Sequence, residues 1–417
     1  MLRNSWSSWA VLVVLTAFVN CPADLSRALE IEADADSILP VEFALPPNSP
    51  AGSLEDSKLS TPAPSESATT FTPEQLALRD KIRRVLEMYA PRHQNTRDHS
   101  PWEVMHAIIA YGVDTQLFKG GPSGEKVNAI GWVCYNYPCA GEQILFVNRG
   151  KIDARRGPGV QGHFGQLLAI LAQSHVKLDY PMYVSGKQFT LADLVEHEKS
   201  NCVAGEELTF KLIALMHYLD SDETWKSRDG QEWSIQRLVH EEIKQPIRGA
   251  ACGGTHRLMG LSYSVNKRLQ RGKPIVGEFA RAQAFIQDYH RYTFSLQNPD
   301  GSFSTEWFTR RGDNTDIDRR LKTSGHILEW IGFSLSDDEL RDPRMIKAVD
   351  YVATILLKND THKWEIGPLG HGLHSLSIYS NRVFKDSEPA RSQTAVGESH
   401  DPNSPLFQAR LRTPWVE

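Results

Sequence analysis

Five histidines, His106, His163, His256, His326 and His371, each fall near the start of a long apolar run, and the carboxylates Glu206 and Glu207 stand at the start of another. Imidazole titrates close to neutrality and binds divalent metals through either ring nitrogen. Brought to one place, His163, His256, His326 and His371 with Glu206 and Glu207 would supply catalytic acid and base groups. His256, His326 and His371 would equally make a ligand set for zinc. A histidine near a helix start also commonly caps the neighbouring turn or satisfies a buried polar group. Recurrence at one register is what sets this set apart.

The cysteines offer two uses of the same region. In an oxidising compartment Cys134 and Cys139 suit a local turn disulfide, and Cys202 and Cys252, at nearly equivalent places in adjacent repeats, suit a bridge between them. Left reduced, Cys252 would stand one helical turn from His256, forming the best thiol nucleophile or zinc pair in the chain. Tyr263, Trp307, Trp330 and Trp364 would line a cavity or fill the core.

The elements that must position these groups are helical. Thr72-Pro73-Glu74-Gln75 has a capping Thr, a Pro at the first helical position and a Gln placed to reach back, so a helix opens there and runs to Tyr89 before Pro91. Gly186 to Val195 and Gly230 to Val239 repeat at an offset of 44, each giving a turn, an aromatic, a Thr or Ser cap and a helix. A cysteine, a Gly-containing turn and a more apolar helix follow each copy. The pattern predicts inner helices beginning near Met105, Gly162, Gly205, Thr255, Gly325 and Gly370. Outer helices are expected over 72–89, 190–199, 234–244, 276–296 and 342–357. Between the first two inner helices, residues 127–150 alternate like a strand pair and predict a small β insertion.

Gln297-Asn-Pro-Asp-Gly-Ser-Phe303 resembles the glutamine and tryptophan repeat of squalene and oxidosqualene cyclases, with Phe in place of Trp. Asp342 to Asp350, then Trp364 and Pro368 to Ser377, looks like the next hairpin of such a protein. The resemblance to the terpenoid cyclase and protein prenyltransferase superfamily implies an all-α fold, an α/α toroid of about six helical hairpins. It does not carry the chemistry across. The cyclases' aspartate-rich acid motif is absent, since Lys322 to Ile327 stands at that place. Of the prenyltransferases' zinc ligands only His371 has a counterpart.

The 417 residues divide into a signal peptide over 1–28, a Pro-, Ser- and acid-rich linker over 29–71, the helical domain over 72–385 and an irregular tail over 386–417. A signal peptide implies an extracytoplasmic, periplasmic or secreted, location. A net charge of −5 gives no basic excess for a phosphate backbone, which excludes nucleic acid as a partner. No apolar run is long enough for a transmembrane helix. The expected function is an enzyme acting on a saccharide or lipid-linked substrate in a His/Glu-lined funnel. The alternatives are a noncatalytic scaffold holding a small-molecule, saccharide or peptide ligand, and a terpenoid or prenyl-handling enzyme.

Overall fold

The computed structural model describes residues 71–385, which fall within one compact unit. The sequence-assigned signal peptide, linker and tail lie outside the described residues, as does Cys21. Twelve α-helices and nine short strands occur among the described residues, so the protein is mainly helical.

Local chemistry places the helices. α1 (Pro73–Tyr89) opens with the expected reciprocal cap between Thr72 and Gln75, and α2 (Pro101–Tyr111) repeats the device with Ser100 and Glu103. α4 (Gln166–Gln173) and α8 (Thr255–Gln270) instead follow left-handed glycines, Gly165 and Gly254. A Cβ at Gly254 would lie 2.5 Å from the Ile247 carbonyl oxygen, so close backbone approach and positive φ both require glycine there. The outer helices α5 (Leu191–Ser200), α7 (Ile235–Lys244), α9 (Glu278–Ser295) and α11 (Pro343–Lys358) start within two residues of their expected positions.

The more apolar helices α2, α4, α6 (Thr209–Tyr218), α8, α10 (Ile317–Ser334) and α12 (Ile366–Val383) pack in chain order, each on the next, and α12 packs on α2. The outer helices lean on them: α5 and α7 on α6, α9 on α8, α11 on α10 and α12, and α1 on both α11 and α12. Lys81 of α1 reaches Asp350 of α11 at 2.5 Å. Glycines set the closest approaches: a Cβ at Gly325 of α10 would stand 3.1 Å from the Gly372 backbone of α12, and one at Gly370 of α12 would stand 2.4 Å from the His106 carbonyl oxygen of α2.

Three expectations need correction. Residues 129–134 form a helix, α3 (Ala129–Cys134), while the β hairpin of this region is β4 (Leu145–Asn148) with β5 (Lys151–Ala154). β3 (Lys126–Asn128) pairs with β2 (Gln116–Phe118), which pairs with β1 (Gln94–Asn95). Further hairpins, β6 (Pro181–Val184) with β7 (Lys187–Thr190) and β8 (Thr224–Lys226) with β9 (Glu232–Ser234), precede α5 and α7. Finally, all four described cysteines are free. Cys202 is buried with its Sγ turned onto the Glu198 carbonyl at 3.4 Å, whereas Cys252 occupies a left-handed turn beside His256. Cys134 ends α3 in the core, and Cys139 pairs its backbone with Glu142.

Candidate metal centre

The six-helix cycle brings all five sequence-selected histidines together. Ring centroids lie 3.8 Å apart for His326 and His371, 5.7 Å for His256 and His326, and 5.5 Å for His256 and His371. His163 stands 5.4 Å from His256, and His106 stands 5.4 Å from His371. Only His256 occupies a first helical turn. His163 precedes α4, and His326 lies in the third turn of α10, which begins eight residues before the expected Gly325.

Four of the five rings have their tautomer fixed by an oxygen that can only accept. His106 and His326 donate through Nδ1 to the carbonyls of Trp102 and Lys322, each at 2.7 Å. His163 donates through Nδ1 to Glu207 Oε2, and His371 to Glu329 Oε2, again at 2.7 Å. Each ring therefore keeps Nε2 as its free lone pair, the arrangement that orients imidazole for metal binding or proton transfer. His256 is different. Both its ring nitrogens are buried and neither has a hydrogen-bond partner among the described residues, a costly arrangement unless the site serves some other purpose.

Cys252 completes a donor set around it. One donor atom each from Cys252, His256 and His326 lie within 4.8 Å of one another. Ligand atoms on a tetrahedral zinc stand about 3.5 Å apart, given Zn–N and Zn–S lengths of roughly 2.1 and 2.3 Å, so small side-chain rotations would close the set. Burial, reinforced by the neighbouring imidazoles, holds His256 and His326 well below the ordinary histidine pKa, which keeps them neutral as ligands must be. Burial pushes the Cys252 thiol up to about 11, so capture of a cation there would release a proton.

The backbone under this set is strained. Cys252 has φ 48° and ψ 40°, and Trp307, whose ring stands 5.7 Å from His326, has φ 54°. A Cβ at Gly253, between Cys252 and α8, would strike the Trp307 ring at 2.3 Å, so ring and turn are moulded together. Non-glycine residues in the left-handed region cost about 1–3 kcal/mol each and concentrate at functional sites.

Two partners of the cluster escaped the sequence reading. Glu329, one turn after His326, is buried between His371 and His374, the latter donating to Oε1 at 2.6 Å. Burial works against its charge, but the two imidazoles outweigh burial and hold the carboxyl well below its usual range. The signal was the spacing His326-x-x-Glu329 and His371-x-x-His374, which puts each pair on one helix face. Glu207 is likewise kept below the usual carboxylate range, with its hydrogen bond from His163 overcoming burial. Glu206 does not join the cluster. It is exposed and lines a separate groove with His197, Glu198 and Lys211. Of the aromatic residues, Tyr263 and Trp330 are core, Trp364 is buried against Tyr89, and only Trp307 borders the cluster.

No helix among the described residues is long and apolar enough to cross a membrane. Comparison with protein-family models, with curated proteins and with solved structures returns no match.

Proposed function

We propose that the closed cycle of inner helices is an α/α toroid and that the protein is an extracytoplasmic, zinc-dependent hydrolase. Its ion would be held by Cys252, His256 and His326. The observation that carries this reading is the unpartnered, buried His256, whose donor atom lies within 4.8 Å of those of a free thiol and a tautomer-fixed His326. One thiolate and two imidazoles leave zinc an open position, where it supplies an activated water at neutral pH.

The chain's own groups fit around that chemistry. His163, oriented by Glu207, holds its free Nε2 on one side of His256, and His371, oriented by Glu329, does so on the other. Carboxylate-oriented imidazoles of this kind can take and return a proton during hydrolysis. The imidazoles and carboxylates gathered there suit a saccharide or other polar substrate better than an isoprenoid, which would need an apolar cavity. The cyclase-like segments at Gln297 to Phe303 and around Trp364 then serve the ring's architecture.

Metal analysis and thiol titration of the purified protein test this. Reconstitution should give one equivalent of zinc, with Cys252 unreactive until a chelator is added. The His256→Ala, His326→Ala double variant should hold none. A wild-type protein that takes up no zinc would end the hydrolase reading and leave a ligand-binding scaffold as the better account.

A further inference from the structure

An open cleft of about 500 Å³ adjoins the cluster through Phe164, the residue after His163. Two phenyl rings face it, each covered on one side by a guanidinium: Arg155 stands 5.3 Å over Phe146, and Arg156 stands 4.5 Å over Phe164. Phe164 is 39% exposed, unusual for so large an apolar side chain. Neither arginine has a carboxylate in ion-pair reach among the described residues. The nearby Asp153 is turned onto His197 at 3.0 Å. Arg156 also reaches back to the Gly162 carbonyl, at 3.4 Å, which ties it to the loop that carries His163.

We propose that this cleft binds a carboxylated saccharide chain and feeds it to the His163 side of the cluster, an inference that rests on the hydrolase reading for the reaction but not for the binding. A guanidinium held over an aromatic ring has lost part of its freedom before it meets a carboxylate, which it can recognise bidentately. The Lys211 ammonium also stands 5.7 Å from the Phe164 ring centre, and the part of the ring that stays exposed offers a platform for the apolar face of a sugar ring. Two such units at one cleft match an oligomer with a carboxylate on successive residues. An acidic peptide is the less suitable occupant, because peptide capture commonly extends a sheet edge. Here the β4–β5 hairpin already packs against α5 and β6. A lipid is disfavoured by the exposed charges lining the cleft.

Calorimetric titration of the full chain with tetragalacturonate, with its carboxyl-reduced neutral counterpart and with tetraglutamate decides the matter. Tetragalacturonate should bind, the neutral tetramer at least about tenfold more weakly, and tetraglutamate more weakly than the acidic sugar. Arg155→Ala, Arg156→Ala should lose about 10–100-fold for the acidic sugar, and Phe164→Ala about tenfold, with unchanged melting temperatures because all three side chains are exposed. Equal binding of the neutral tetramer, tighter binding of tetraglutamate, or no binding of tetragalacturonate would each overturn the proposal. The His256→Ala variant separates the two readings: it should lose zinc while retaining tetragalacturonate. Zinc uptake without sugar binding would sink the cleft assignment alone.

Discussion

Two buried carboxylates, one where α6, α7 and α8 meet and one at the seam of α10 and α12, show how similar burial serves different ends. Glu242 accepts from the Leu208 backbone N–H at 2.7 Å, from Thr209 Oγ1 at 2.5 Å and from Arg257 Nε at 3.1 Å. Every partner is a fixed donor, and the carboxylate caps the start of α6 while tying it to α8. Glu329 is also buried, yet its partners His371 and His374 are both imidazoles, each with a second nitrogen left over. A carboxylate saturated by permanent donors is a fastening. One that orients groups with spare lone pairs is part of a site.

The sharpest way to break the comparison is to remove each charge. Glu242→Ala should destabilise the protein by about 3–5 kcal/mol in urea denaturation, because it strands the buried Arg257. Glu329→Gln should cost much less, about 1 kcal/mol, since the amide keeps the shape and the partly exposed His374 can adjust. Equal losses would show that Glu329 is also only a fastening. Next in size, Gly325→Ala places a methyl 3.1 Å from the Gly372 backbone. Overpacking of about 1–3 kcal/mol, offset by nearly 1 kcal/mol of helix propensity, predicts a net loss near 1 kcal/mol. It should also lower zinc uptake by displacing the adjacent His326 from Cys252 and His256.

The most gradual effect is a pH dependence at the seam. Burial lowers His106 to about 3 and holds His256 and His326 well below their ordinary value. Between that depressed pKa and about 6.5 the unfolded chain binds protons that the native protein refuses. Stability from these groups is therefore complete above about pH 6.5 and is lost as the pH falls, by up to about 1.4 kcal/mol per unit for each histidine. Thermal melts of metal-free protein at pH 7 and pH 5 should show the lower midpoint at pH 5. A flat profile would mean that the cluster is hydrated rather than dry.

Much of the helix plan was legible because its signals are local. Thr72, Ser234 and Asp342 each cap where their side chains can reach a backbone N–H two or three residues on. The start of α10 is obscured by Asp318, Arg319 and Arg320, whose charges read as loop yet belong to its first turn. The hairpins β6–β7 and β8–β9 were taken for simple turns, since strands of three or four residues hardly show alternation. The histidine set was legible through its recurrence, but the clamp on Glu329 was not. His371 and Glu329 are 42 residues apart and meet only because Gly325 and Gly372 let α10 and α12 approach. The disulfide expectation failed because equivalent sequence positions were assumed to share a backbone, and Cys252 alone sits in the left-handed turn.

The contact of α12 with α2 also has a kinetic side. Lys81 and Asp350, which fasten the first and last hairpins, are 269 residues apart, and closing so long a loop must precede any reward from the contacts it makes. α4 through α10 can assemble from neighbours in sequence, but His371, His374 and the clamp on Glu329 arrive only with the final helix. The carboxylate-clamped side of the histidine cluster is thus the last part of the molecule to form, and a chain halted before α12 would hold the Cys252, His256 and His326 donors without it.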